Sequence, residues 1–102
     1  MKRIITALAL TAAMISPAMA VDKETCAAVK GLAEAVMSAR QAGVDVSDMM
    51  ATTTENPKMN KLQQGLIVDA FSFPAYSTKD FREKEVREFG ARHYLNCLKS
   101  TK

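Results

Sequence analysis

Apolar residues recur at helical spacing in three stretches of this chain, joined by short polar or proline-containing links. The first runs from about Asp22 to Ala42, where Cys26, Val29, Ala33, Val36 and Met37 fall three and four residues apart with Leu32 beside them. Such spacing places them on one face of an amphipathic helix. Gly43 stands where a helix stop is expected. A brief helical turn follows, with Ser47 as its predicted cap and Asp48, Met49, Met50 and Ala51 in it. Thr52 to Glu55 reads as a loop, because three β-branched residues in series disfavour helix. Asn56-Pro57 restarts helix, a capping side chain followed by proline at the first helical position. This helix should reach about Phe73. Met59, Leu62, Leu66, Ala70 and Phe73 form its inner stripe, and Ile67, Val68 and Phe71 widen it, so it is expected to be the central, most buried helix. Pro74 ends it. Ser77 or Thr78 can cap the last helix, which should extend to about Leu98 with Phe81, Val86, Phe89, Gly90, His93 and Cys97 toward one side. From Lys79 to Glu88 the charges alternate in sign, as on a solvated helix face. The fold class expected is all-α: a small bundle of three main helices plus a short one.

The start of the chain reads as a cleavable export signal. Lys2 and Arg3 are basic, Ile4 to Ile15 is nearly all apolar, Pro17 breaks the run, and Ala18-Met19-Ala20 supplies small residues at a cleavage site. The expected organisation is a signal peptide over 1–20 and a single helical domain over 21–102. Neither the leader nor any later stretch is long and apolar enough to span a bilayer. Without Lys2 and Arg3 the basic residues fall from 14 to 12 against 11 acidic ones, a net charge of +1. A balance so near neutrality speaks against nucleic acid as a partner. The charge is uneven, with −3 over 21–55 and +4 over 56–102, so the two halves either attract each other or present faces of opposite sign.

Export changes how Cys26 and Cys97 are read. In an oxidising compartment a disulfide persists, and two cysteines allow one intramolecular pairing. It would join the first and last helices side by side and antiparallel, the alternative being a bridge to another molecule. Counting from the bond, Val29 should meet His93 or Tyr94, Ala33 should face Gly90, and Val36 or Met37 should reach Val86.

Candidate chemistry is sparse. His93 and Cys97 are four apart and Cys26 could complete a zinc set, but a disulfide removes both thiolates, so no metal is expected. His93 as a general base lacks a serine or acid at the spacing a triad needs. Met37, Met49, Met50 and Met59 suit Cu(I) chemically, yet methionines more commonly fill cores or line adaptable surfaces. Glu83, Glu85 and Glu88 are interleaved with Arg82, Lys84 and Arg87, a surface ion-pairing pattern rather than a catalytic acid pair. No cofactor and no enzymatic activity are expected. Four of the six aromatics, Phe71, Phe73, Tyr76 and Phe81, gather around Pro74. If exposed, Phe73 and Tyr76 together form a candidate partner-binding patch, with Met49 and Met50 as further candidates.

Cys26-Ala27-Ala28, the run Ala39 to Val44 leading to Ser47-Asp48-Met49-Met50, then Pro74-Ala75-Tyr76-Ser77-Thr78 and the closing Tyr94-Leu95-Asn96-Cys97 make up a distinctive pattern. It resembles a group of small exported proteins of uncharacterised function from bacteria and their phages, over nearly all of the mature chain. In plan it is also similar to the acid-stress periplasmic chaperones of the HdeA type, although the end-to-end cysteine spacing departs from theirs. Small helical immunity proteins share the plan too. The expectation drawn is an exported, periplasmic or secreted, protein that binds another protein non-covalently as an inhibitor, immunity factor or accessory subunit. An acid-stress chaperone is the alternative, and an enzyme or metal-binding protein the third reading.

Overall fold

A computed structural model of the chain describes residues 4–52 and 54–100, with side chains from residue 23 onward. Four helices and no strand are found among the described residues: α1 (Ile4–Gln41), α2 (Val46–Met50), α3 (Pro57–Ala70) and α4 (Lys79–Ser100). The all-α architecture is the expected one, and Cys26 is joined to Cys97 with their Cα atoms 5.5 Å apart. Lys2 and Arg3 of the predicted leader, and Thr53 of the predicted loop, lie outside the described residues.

Helix α1 begins well before the expected Asp22 and runs through Pro17, the expected break in the apolar run. It ends as the sequence suggests. Gly43 takes a φ of +89°, the left-handed conformation that costs a glycine nothing, while the Gly43 and Val44 N–H groups donate to the Arg40 and Ala39 carbonyls. The brief α2 is capped by Asp45 rather than by the expected Ser47. The Asp45 carboxylate accepts from both the backbone N–H and the hydroxyl of Ser47. Those two bonds favour the ionised form and hold the Asp45 carboxyl below its ordinary value.

Asn56 caps α3 as predicted, accepting from the Lys58 and Met59 N–H groups. The preceding loop is tied back onto α3 where Asn60 bonds both backbone groups of Thr54 and Gln63 donates to the Thr52 carbonyl. Helix α3 stops at Ala70, three residues short of the expected Phe73. The Ser72 hydroxyl and N–H both donate to the Asp69 carbonyl and the Phe73 N–H donates to that of Ala70, so the chain closes into a turn before the proline. Helix α4 starts after Thr78, whose hydroxyl accepts from the Phe81 N–H, and continues to Ser100.

The core consists of Ala33, Val36 and Met37 from α1, Met49 from α2, Leu66, Ile67 and Ala70 from α3, and Phe89 from α4. This corrects the expectation that α3 is central. Helix α1 packs against both α4 and α3, whereas α3 offers a single buried stripe and leaves Val68 63% exposed. Phe81 likewise falls off the expected inner stripe of α4 and is 56% exposed.

The disulfide brings α1 and α4 together, and Ala33 and Gly90, expected to face each other, are both buried, with the Glu34 side chain against Gly90. A Cβ placed on Gly90 would lie 2.5 Å from Cγ and 2.8 Å from Oε2 of Glu34. A larger residue there would have to displace the Glu34 side chain, which pairs with Lys30 at 2.7 Å.

Candidate functional site

The connection between α3 and α4 has no regular structure of its own, so its backbone carbonyls need outside donors. Three side chains supply them. Arg40 donates through Nε and Nη2 to the Phe73 carbonyl at 3.1 and 2.9 Å while its guanidinium lies 4.5 Å from the Phe71 ring centre. Gln41, only 7% exposed, donates from Nε2 to the Pro74 carbonyl at 2.9 Å and accepts the Tyr76 N–H on Oε1 at 2.8 Å. Arg82 donates from Nη1 to the carbonyls of Tyr76 and Ser77. The turn is therefore clamped onto the end of α1 and the start of α4.

This clamp decides where the aromatic candidates sit. Phe73 is half-buried, its ring edge-on to Phe89 with centroids 6.1 Å apart and the Arg92 guanidinium 4.7 Å over its face. Tyr76 is half-buried and packs against Phe81 at 5.9 Å. Met49 is 8% exposed and belongs to the core, and Met50 packs against that core from outside. The structure thus turns Phe73, Met49 and Met50 inward and leaves Tyr76, with Phe81, at the surface end of the turn.

Two cavities flank the first half of α4. The larger, about 480 Å³, lies between α4 and the C-terminal end of α1. Ala42 and Val86 contribute apolar lining, and Lys79, Arg82 and Arg87 stand around it with Glu83 as the lone acid. Lys79 and Glu83 are 3.9 Å apart, a solvent-exposed pair of little energetic weight. Arg82 is engaged with turn carbonyls, and Arg87 has no ion-pair partner among the described residues. The groove therefore carries a net positive charge over an apolar floor. The smaller cavity, about 180 Å³, opens on the other flank, lined by Tyr76, Phe81, Lys84, Glu85 and Glu88.

The alternating charges of 79–88 thus divide unevenly, with cations in excess on one flank and acids on the other. Positions 79, 82, 83, 86 and 87 fall on one side of the helix and 81, 84, 85 and 88 on the other, a consequence of the 3.6-residue repeat that the sequence carries. Arg40 and Gln41 left no such trace. Each bonds a backbone carbonyl 33 residues away, and no spacing rule connects positions so distant.

The remaining candidates have positions that account for them. His93 Nε2 lies 2.7 Å from Asp69 Oδ2 and its ring 4.6 Å from that of Phe89, so it links α4 to α3. Both cysteines are in the disulfide, and no group of three or more His, Cys, Asp or Glu side chains that could hold a metal ion is found among the described residues. No helix among them is long and apolar enough to cross a membrane. The opposite charges of the two chain halves do not meet in ion pairs among the described residues, where every pair but Asp69–His93 is a local one along a single helix.

The chain matches no protein-family model, and neither a curated protein nor a solved structure matches it.

Proposed function

We propose that this is an exported protein that binds another protein non-covalently, as an inhibitor, immunity factor or accessory subunit, and that the first half of α4 is its docking face. Export is supported by the leader pattern at the start of the chain, and an intramolecular disulfide is compatible with it. The observation that carries the binding reading is the groove between α1 and α4, where Lys79, Arg82 and Arg87 surround an apolar floor with only Glu83 to offset them. Charge complementarity selects the occupant: an acidic, amphipathic segment of the partner, with aliphatic groups against Val86 and Ala42 and carboxylates toward the cations. The groove offers ion pairing and apolar contact, which suit recognition rather than bond-making.

The test is affinity capture from a periplasmic extract with the oxidised protein, run beside the double variant Lys79→Glu/Arg87→Glu. Arg82 is left intact because it holds the turn. One identified partner, bound at least about tenfold more weakly by the variant and more weakly at high salt, is the expected result. A partner retained equally by both proteins, or nothing above background, overturns the reading.

A further inference from the structure

Glu85 is 9% exposed, yet its carboxylate makes no hydrogen bond or ion pair with any described residue. Its oxygens are not cut off from water, the buried polar atom without a partner among the described residues being Arg92 Nη2, so the carboxylate stays accessible to a ligand. The group lines the smaller cavity together with the rings of Tyr76 and Phe81, whose centroids are 5.9 Å apart and whose planes are tilted by 37°. The other charges in the lining, Lys84 and Glu88, are a loose solvent-exposed pair 4.0 Å apart, so the two acids of the lining face one lysine. Arg92, further along the same helix and outside the lining, has its guanidinium over the faces of Phe73 and Phe89 at 4.7 and 5.4 Å. From these positions we infer that the Tyr76–Phe81–Glu85 cavity receives a guanidinium, the side chain of an arginine that the partner protein inserts on the flank of α4 opposite the cationic groove.

The chemistry selects this ligand over others. An anion would meet Glu85 and Glu88, and a neutral apolar group would leave the Glu85 carboxylate still unpaired. A hydrated metal ion would find one free carboxylate and two hydrocarbon rings. A guanidinium satisfies both components, because it is planar, stacks on aromatic faces and donates hydrogen bonds to a carboxylate. A cavity of about 180 Å³ accommodates the end of one such side chain. The partner would then be gripped by two sites of opposite sign, so its docking segment carries carboxylates on one side and an arginine on the other.

Who presents the guanidinium rests on the binding reading above; the cavity itself can be tested without any partner. Ethylguanidinium chloride is titrated into the oxidised full-length protein while the ring signals of Tyr76 and Phe81 are followed by NMR, with ethylurea as the neutral isostere. Saturable shifts with ethylguanidinium, absent with ethylurea and weakened about tenfold or more in Glu85→Gln, are expected. Should Glu85→Gln lose its helical circular dichroism, Phe81→Ala removes one wall at an exposed position and should weaken binding likewise, read then on Tyr76. No saturable shift, equal response to ethylurea, or binding within twofold of wild type in a folded variant overturns the site. Where a partner has been captured, Glu85→Gln should weaken it too. A partner affinity left unchanged while ethylguanidinium binding is lost would assign the cavity to a free guanidinium compound and overturn the side-chain assignment.

Discussion

From Phe89 to Cys97, helix α4 is fastened to the rest of the protein at each turn, whereas from Lys79 to Glu88 it has a cavity on either flank. In the later half Phe89 is fully buried, Gly90 lies under the Glu34 side chain, His93 reaches Asp69 and Cys97 is bonded to Cys26. In the earlier half Phe81 is 56% exposed and the charged side chains of Lys79, Glu83, Lys84 and Glu88 reach solvent in loose local pairs. On the proposed docking face, cohesion and recognition would therefore occupy different lengths of one rod. A small domain gains from that division, because substitutions that adapt the binding end need not disturb the contacts that keep it folded.

Removing the covalent tie should break the comparison most severely. Cys26→Ser/Cys97→Ser opens a loop closed across a sequence separation of 71, and in the chain-entropy model the loss is about 4 kcal/mol. Denaturant unfolding of the variant against the oxidised protein measures it, and a loss below about 1 kcal/mol would place the cohesion elsewhere. Phe89→Ala comes next, at about 3 kcal/mol, because the ring is fully buried and Phe73 and His93 pack against it. Thermal or denaturant unfolding provides the check.

At the open end the expected effects are smaller and more local. Gln41→Ala leaves the Pro74 carbonyl and the Tyr76 N–H without their partner and should cost about 1–2 kcal/mol. Faster hydrogen exchange at the Tyr76 amide, without a matching change at core amides of α4, is the accompanying signature. Smallest of all, Lys79→Glu/Arg87→Glu should stay within about 0.5 kcal/mol of wild type while weakening partner binding. A stability loss well beyond that figure would mean that the early half of α4 is structural after all, and the division between the two halves would fail.

Residues whose roles depend on near neighbours are legible in the amino-acid order alone. Asn56-Pro57 marks the start of α3, Thr78 is one of two residues suited to cap α4, and Gly43 stands at the stop of α1. The disulfide is legible for a different reason, since a chain with two cysteines allows one internal pairing. Rules for a single helix fail where two helices meet. The apolar breadth of α3 suggests burial on several sides, but Val68 faces water because no second helix covers it. Counting along the axis from the disulfide reaches the right level of α1 but does not foresee that the Glu34 side chain lies over Gly90. Axial rise is fixed by helix geometry, while rotation about the axis, near 100° per residue, is set by how the helices pack.

The candidate site divides along the same line. The aromatic turn is visible as a cluster in the sequence, but which of its rings point inward follows from Arg40 and Gln41 reaching back across more than thirty residues of chain. Helix number, most of the caps, the covalent link and the two-sided charge pattern of 79–88 are local or combinatorial properties, and the amino-acid order determined them. The tertiary structure alone decided that one flank of that pattern meets the end of α1 as a cationic groove, that the other meets Tyr76 as an acidic aromatic pocket, and that Glu85 lines that pocket without a partner among the described residues. The physical reason is that a helix repeat assigns residues to faces, whereas the surface each face meets depends on side chains brought close only after the chain has closed on itself.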